Sequence, residues 1–271
     1  MRSVLGGRSS LWPFLALAAA VGIAALFIPR TPQPFSYHQF ADRRSWLGIP
    51  NFGDVVSNIP FLVAGFWGLA FLCRTSSRER FIDARERWPY VFLFLGLLLT
   101  AGGSAYYHLA PDNRRLVWDR LPMTFVFMPL VAAILAERVN VKLGLSLLPL
   151  LIAVGAGSVI EWHWSEQQGA GDLRFYAAVE LYALLALLVA LLLPPRYTRG
   201  RDLLVVAGFY VLAKICEAAD RQIFSLGSFL SGHTLKHLAA GAAGFWILRM
   251  LQKRQPVFHG GMHLENGPRF D

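Results

Sequence analysis

The chain has 271 residues, of which 55% are hydrophobic and only 16% charged, against roughly a quarter charged in soluble domains. That deficit excludes an ordinary soluble domain, whose surface needs charge, and the length suits one polytopic membrane domain. The net charge of +9 does not point to nucleic acid: Arg and Lys fall in short connectors between apolar runs, and no dense basic stripe with interleaved aromatics appears.

A membrane helix needs about 20 mostly apolar residues. Eight runs fit, at 11–29, 55–73, 90–108, 119–137, 143–161, 176–194, 203–219 and 233–251. The first is Ala-rich and follows Arg2 and Arg8. It reads as an uncleaved signal anchor, since Ile28-Pro29-Arg30 rather than a cleavage site comes after it. Residues 1–35 are thus an extra N-terminal helix, 36–251 a seven-helix membrane domain, and 252–271 a disordered cytoplasmic tail. Pro194-Pro195 closes the sixth run, and Gly200 and Arg201 precede the seventh. The expected fold is an all-α, polytopic membrane bundle with a seven-helix core plus one N-terminal helix. The connectors are too short for a soluble domain, and no internal repeat is evident. Cys73 and Cys216 lack CxxC spacing, so neither a disulfide framework nor a cysteine metal site is expected.

Eight spans place sixteen Arg and Lys on the side of the N-terminus and eight on the other. The positive-inside rule then puts both termini in the cytoplasm. The short loops point to a bacterial inner membrane.

Ionisable groups in membrane spans are costly and are functional candidates by default. Ser104 and His108 close the third run and share a helix face at i, i+4. Asp119 opens the fourth run. His233 and His237, also i, i+4, open the eighth. Two histidines one turn apart can bind one metal ion, although the same spacing fits interfacial or helix-capping histidines. Read alone, Asp119 also fits an N-cap or a partner of Arg115 or Arg120, and Ser104 a small packing residue. The topology, however, places all five at one membrane face. Three His plus a water is a catalytic zinc arrangement, in which the water's pKa falls to about 7. Asp119 could take a proton or orient a ligand histidine, and Ser104 could hydrogen-bond the developing oxyanion. Glu217 and Asp220 end the seventh run on the same side. They fit partners of the histidines, or of Arg221 and Lys236, and Tyr107 beside His108 joins them as a candidate behind the ligands. Glu161, His163 and Glu166 lie near Trp162 and Trp164, where interfacial anchoring or a place at the substrate mouth both fit. His38, His259 and His263 read as solvated.

At these residues the sequence resembles the alkaline ceramidase family, part of a group of seven-helix membrane hydrolases that includes the adiponectin-type receptors; it looks like a bacterial-type member. The resemblance covers about 55–251 and rests on Asp54-Val-Val-Ser57-Asn58, Ser104-x-x-x-His108, Asp119 and His233-x-x-x-His237. It implies Zn2+ on His108, His233 and His237, with Ser104 and Asp119 completing the site. It implies hydrolysis of a ceramide amide to sphingoid base and fatty acid by zinc-activated water. The lipid would enter sideways from the bilayer, and no protein partner is called for. The alternative within the group is a receptor or sensor. A haem protein with paired histidine ligands is a third reading, which the accompanying Asp and Ser disfavour. Eukaryotic members carry an acidic calcium-binding segment before the first core helix. Here that stretch offers Asp42, Asn51 and Asp54, with Asn51 where a Glu is expected. Ca2+ favours several hard anionic oxygens, so calcium there, and with it the ceramide head-group preference, is doubtful.

Overall fold

A computed structural model describes residues 10–257. Among them are ten α-helices and no strand: α1 (Trp12–Phe27), α2 (Phe52–Val56), α3 (Ile59–Cys73), α4 (Arg87–Leu109), α5 (Asn113–Arg138), α6 (Val141–Gln167), α7 (Arg174–Ala190), α8 (Asp202–Ala218), α9 (Asp220–Ser225) and α10 (Gly232–Lys253). Seven of the eight apolar runs each correspond to one helix, while 55–73 begins in α2 and continues through α3, and α9 is a short addition. Four helical stretches are long and apolar enough to cross a membrane: Phe52–Cys73, Ala84–Leu109, Asn113–Arg138 and Val141–Gln167. The chain is thus helical throughout its ordered elements and of membrane type.

Local chemistry sets the helix ends. Asp112 accepts the Arg115 N–H at 2.7 Å, Asn140 the Leu143 N–H at 3.2 Å and Ser231 the Thr234 N–H at 3.0 Å. These caps satisfy donors that the first turns of α5, α6 and α10 would otherwise leave open. Asp119 is therefore not an N-cap, because α5 begins a turn and a half before it.

Helices α3, α4, α5, α7, α8 and α10 pack in a closed ring, with α6 outside α5 and α7, and α1 outside α7. The ring leaves a central cavity. The α4–α5 crossing is close for a specific reason. Pro122 has no N–H to give the Trp118 carbonyl one turn back, and Gly103 of α4 packs against that carbonyl so tightly that any Cβ would collide with it. This brings Ser104 and Asp119 level with each other. Between α1 and α2, residues 28–51 form a strap with one 3₁₀ turn, Phe35–His38, which folds back over the ring.

Residues 252–257, read from sequence as part of the tail, are packed against the bundle, and 258–271 lie outside the described residues. Gln255 O accepts the Thr198 N–H, and the Val257 N–H donates to Arg196 O, both at 2.8 Å. Just before them, Arg254 is buried against Glu137. Arg2, Arg8, His259, His263 and Arg269 lie outside the described residues.

Candidate metal centre

Two helix termini meet at one end of the ring: the end of α4 carries His108, and the first two turns of α10 carry His233 and His237. Their ring centroids form a nearly equilateral triangle, at 4.8 Å for His108–His233, 4.9 Å for His108–His237 and 4.8 Å for His233–His237. One ligand nitrogen from each lies within 4.8 Å of the others. All three side chains are buried. Both ring nitrogens of His108 and Nε2 of His233 have no hydrogen-bond partner. Buried polar atoms are nearly always paired, so these converging lone pairs fit a metal ion, and the three histidines can hold one.

The surroundings orient the rings. Ser57 Oγ sits 2.8 Å from His237 Nδ1, leaving Nε2 for a ligand bond. Phe40, on the strap, packs its ring 4.6 Å from both His108 and His233 and covers the site from outside. Gly232 lets α10 start hard against the end of α8, where a Cβ would meet the Cys216 carbonyl and Asp220. Asp220 fixes that contact. Its Oδ1 accepts the His233 backbone N–H at 2.8 Å and its Oδ2 the Ala41 N–H at 2.9 Å. Asp220 thus places His233 through the backbone and ties down the strap, and it does not touch an imidazole.

Of the triad, His237 lines the polar end of a cavity of about 270 Å³ bounded by α4, α5, α7, α8 and α10. Helical register makes the gradient. On α4 the lining runs from Ser104 to Leu97 and Leu93, on α5 from Asp119 to Phe127 and Leu130, and on α10 from His237 to Ala243 and Ile247. Each helix puts its polar lining at the same end and apolar side chains over the next ~15 Å. Asp119 forms no ion pair among the described residues, with neither Arg115 nor Arg120. The Ser104 hydroxyl lies beside its carboxylate, short of hydrogen-bond geometry and without another partner.

Other expected residues have different tasks. Glu217 binds Lys236 at 2.5 Å and Lys214 at 2.9 Å, and accepts the Tyr37 hydroxyl at 3.1 Å; it serves the lysines rather than the histidines. Tyr107 stacks beside His108 and pairs through its hydroxyl with His38 Nδ1 at 2.9 Å. His38 is therefore not simply solvated: Asn113 holds its Nε2 at 2.9 Å, and burial pushes its pKa down. Glu166 accepts the Gln33 N–H at 2.5 Å, pinning the strap to α6. Trp162 is fully buried, whereas Trp164 is exposed as an interfacial residue would be.

The calcium candidates each have protein partners, although Oδ2 of Asp54 has none. Asp42 is held by Arg44 at 2.7 Å, whose guanidinium keeps that carboxyl below the usual aspartate range. Asp54 accepts the Thr234 and Ser231 hydroxyls at 2.8 and 3.2 Å, joining α2 to the start of α10. Asn51 adopts a left-handed backbone and donates from Nδ2 to the His108 carbonyl at 2.8 Å.

Residues that sequence reasoning did not single out also shape the site. Ser57 lay inside the Asp54–Asn58 stretch, but only its contact reveals its role. Phe40 and Gln33 carried no signal, because the strap's fold-back is tertiary. Arg120 was given no role beyond the charge count and a partner for Asp119, yet it lines the cavity. Compared with models of known protein families and with curated proteins, the sequence matches none.

Proposed function

We propose that this chain is a zinc-dependent membrane hydrolase that cleaves a lipid amide, ceramide or a related lipid, into a fatty acid and an amine. The observation that carries the reading is the buried, convergent histidine triad at the polar end of an otherwise apolar cavity. Three neutral nitrogen ligands and an open position are the donor set of catalytic zinc. When bound, the ion supplies Lewis acidity at that end of the cavity.

The chain's own groups do the rest. The apolar lining receives the acyl chain and keeps water from it, so the amide carbonyl stops at the level of Ser104 and Asp119. The Ser104 hydroxyl, free of other partners, donates to the carbonyl oxygen as negative charge grows there. Asp119, free of any ion pair, takes a proton from the attacking water and returns it to the departing amine. Ser57, Asp220 and Phe40 hold the imidazoles in place.

The bundle is read as a seven-helix core behind an N-terminal helix, in a bacterial inner membrane with cytoplasmic termini. The Arg and Lys bias and the resemblance to alkaline ceramidases support that placement, and the resemblance alone supports ceramide as the lipid. Zinc-loaded protein should release fatty acid from labelled ceramide, and Asp119→Ala should lower kcat by about 10²- to 10⁴-fold. Unchanged turnover in that variant would remove Asp119 from the reaction.

A further inference from the structure

Three cations line the cavity: Arg120, Lys214 and Lys236. Both lysines are ion-paired to Glu217. Arg120 forms no ion pair among the described residues, although it is buried. Its Nη2 donates to the neutral Gln33 amide at 2.6 Å. Aromatic rings enclose it, with Trp162 at 4.3 Å, Tyr176 at 4.9 Å and Tyr37 at 5.4 Å from the guanidinium carbon. Nη1 is buried and has no partner. Ring faces stabilise a cation but do not satisfy its in-plane N–H groups, and a buried charge without a counter-charge is costly. No carboxylate among the described residues pairs with Arg120, so its buried Nη1 is open to an anion from a ligand.

We propose that Arg120 anchors the substrate's head group and selects lipid amides whose amine half carries a carboxylate, as in an N-acyl amino acid, over neutral lipid amides. The acyl half must lie along the apolar lining, so the anion belongs to the amine half. Arg120 adjoins Asp119 on α5 at the polar end, where that half resides. The open Nη1 of Arg120 offers in-plane donors to one anionic group, and guanidinium geometry suits a planar carboxylate. In the reaction, the water oxygen bonds to the acyl carbon, the C–N bond breaks and the nitrogen takes the proton. The products are a fatty acid and a free amino acid. The catalytic half of this proposal rests on the amide-hydrolase reading above, and the binding half rests on the cavity alone.

The test uses full-length, zinc-loaded protein in detergent with N-palmitoylglycine and N-palmitoylethanolamine, which share the acyl chain and differ as carboxylate against alcohol. Binding is read by quenching of tryptophan fluorescence, and hydrolysis by release of palmitate. Wild type should bind the carboxylate at least about tenfold more tightly, as a charge-assisted pair requires. Arg120→Gln should abolish that preference while still binding the alcohol, and Arg120→Lys should keep part of it. Equal binding of the two lipids by wild type overturns the proposal, and so does a preference that survives in Arg120→Gln. If Arg120→Gln does not fold, the wild-type comparison and Arg120→Lys decide. Selective binding without cleavage would uphold the anchor and remove the hydrolase reading. Cleavage of both lipids with equal kcat/KM and equal affinity would do the reverse.

Discussion

Two buried arginines, at opposite ends of the bundle, sit in similar aromatic surroundings and have opposite fates. Arg254 lies over Phe81, Tyr90 and Tyr197 and Arg120 over Tyr37, Trp162 and Tyr176. Each has one terminal nitrogen without a partner. The difference is the acid. Glu137 pairs with Arg254, which also donates to the Arg80 carbonyl at 3.1 Å and thereby clasps the end of α10 to neighbouring connectors. Arg120 forms no ion pair among the described residues and lines a cavity. The same cation and the same rings make a closed structural joint where the charge is matched, and an open binding position where it is not.

Removing the acid from the closed joint should have the largest effect. Glu137→Ala leaves Arg254 buried and unmatched, a change that typically costs about 3–5 kcal/mol. Thermal unfolding in detergent should show it, with metal content per folded chain unchanged. A loss below about 1 kcal/mol would erase the contrast, because Arg120 already stands without an acid. At the histidine end, rigidity comes from backbone contact instead. Gly103→Ala drives a Cβ into the Trp118 carbonyl and should destabilise by about 1–3 kcal/mol, separating Ser104 from Asp119 and lowering turnover as well. A variant as stable and active as wild type would show that the α4–α5 crossing does not position the site.

Ser57→Ala alters the open end without touching any charge. It removes the bond to His237 Nδ1 and should weaken metal affinity about 10- to 100-fold, while the metal-free protein unfolds at nearly the wild-type temperature. The smallest effect belongs to the strap. Arg44 lowers the folded pKa of Asp42 below its unfolded value. The pair therefore contributes stability above the unfolded pKa and loses it as pH falls through the folded one. Arg44 is half exposed, so the contribution should stay under about 1 kcal/mol. Asp42→Asn should flatten the acid limb of the stability profile, and an unchanged limb would assign it to other carboxylates.

The histidine triad was legible because helical spacing and span alternation are both properties of sequence. HxxxH fixes two rings on one face, and counting the spans brings His108 to the same end. Asp119 and Ser104 followed from the same alternation. The helices were legible from apolar runs, but crossing the membrane is harder to read. Helices α7 and α8 have 17 residues each, at the short limit for a span, and α10 starts with two His and a Lys. What the sequence could not show lies where distant segments meet. The strap's return puts Phe40 on two histidines and Gln33 on Arg120, across 87 positions. Arg254 falls in a polar stretch that reads as tail, and only Glu137, 117 positions away, makes it core.

Metal analysis of purified full-length protein decides whether His108, His233 and His237 hold zinc. About one zinc per chain is predicted in the wild type, with loss of most of it in His233→Ala at unchanged helix content. A metal-free wild type after zinc loading, or a variant that retains its zinc, would contradict the account.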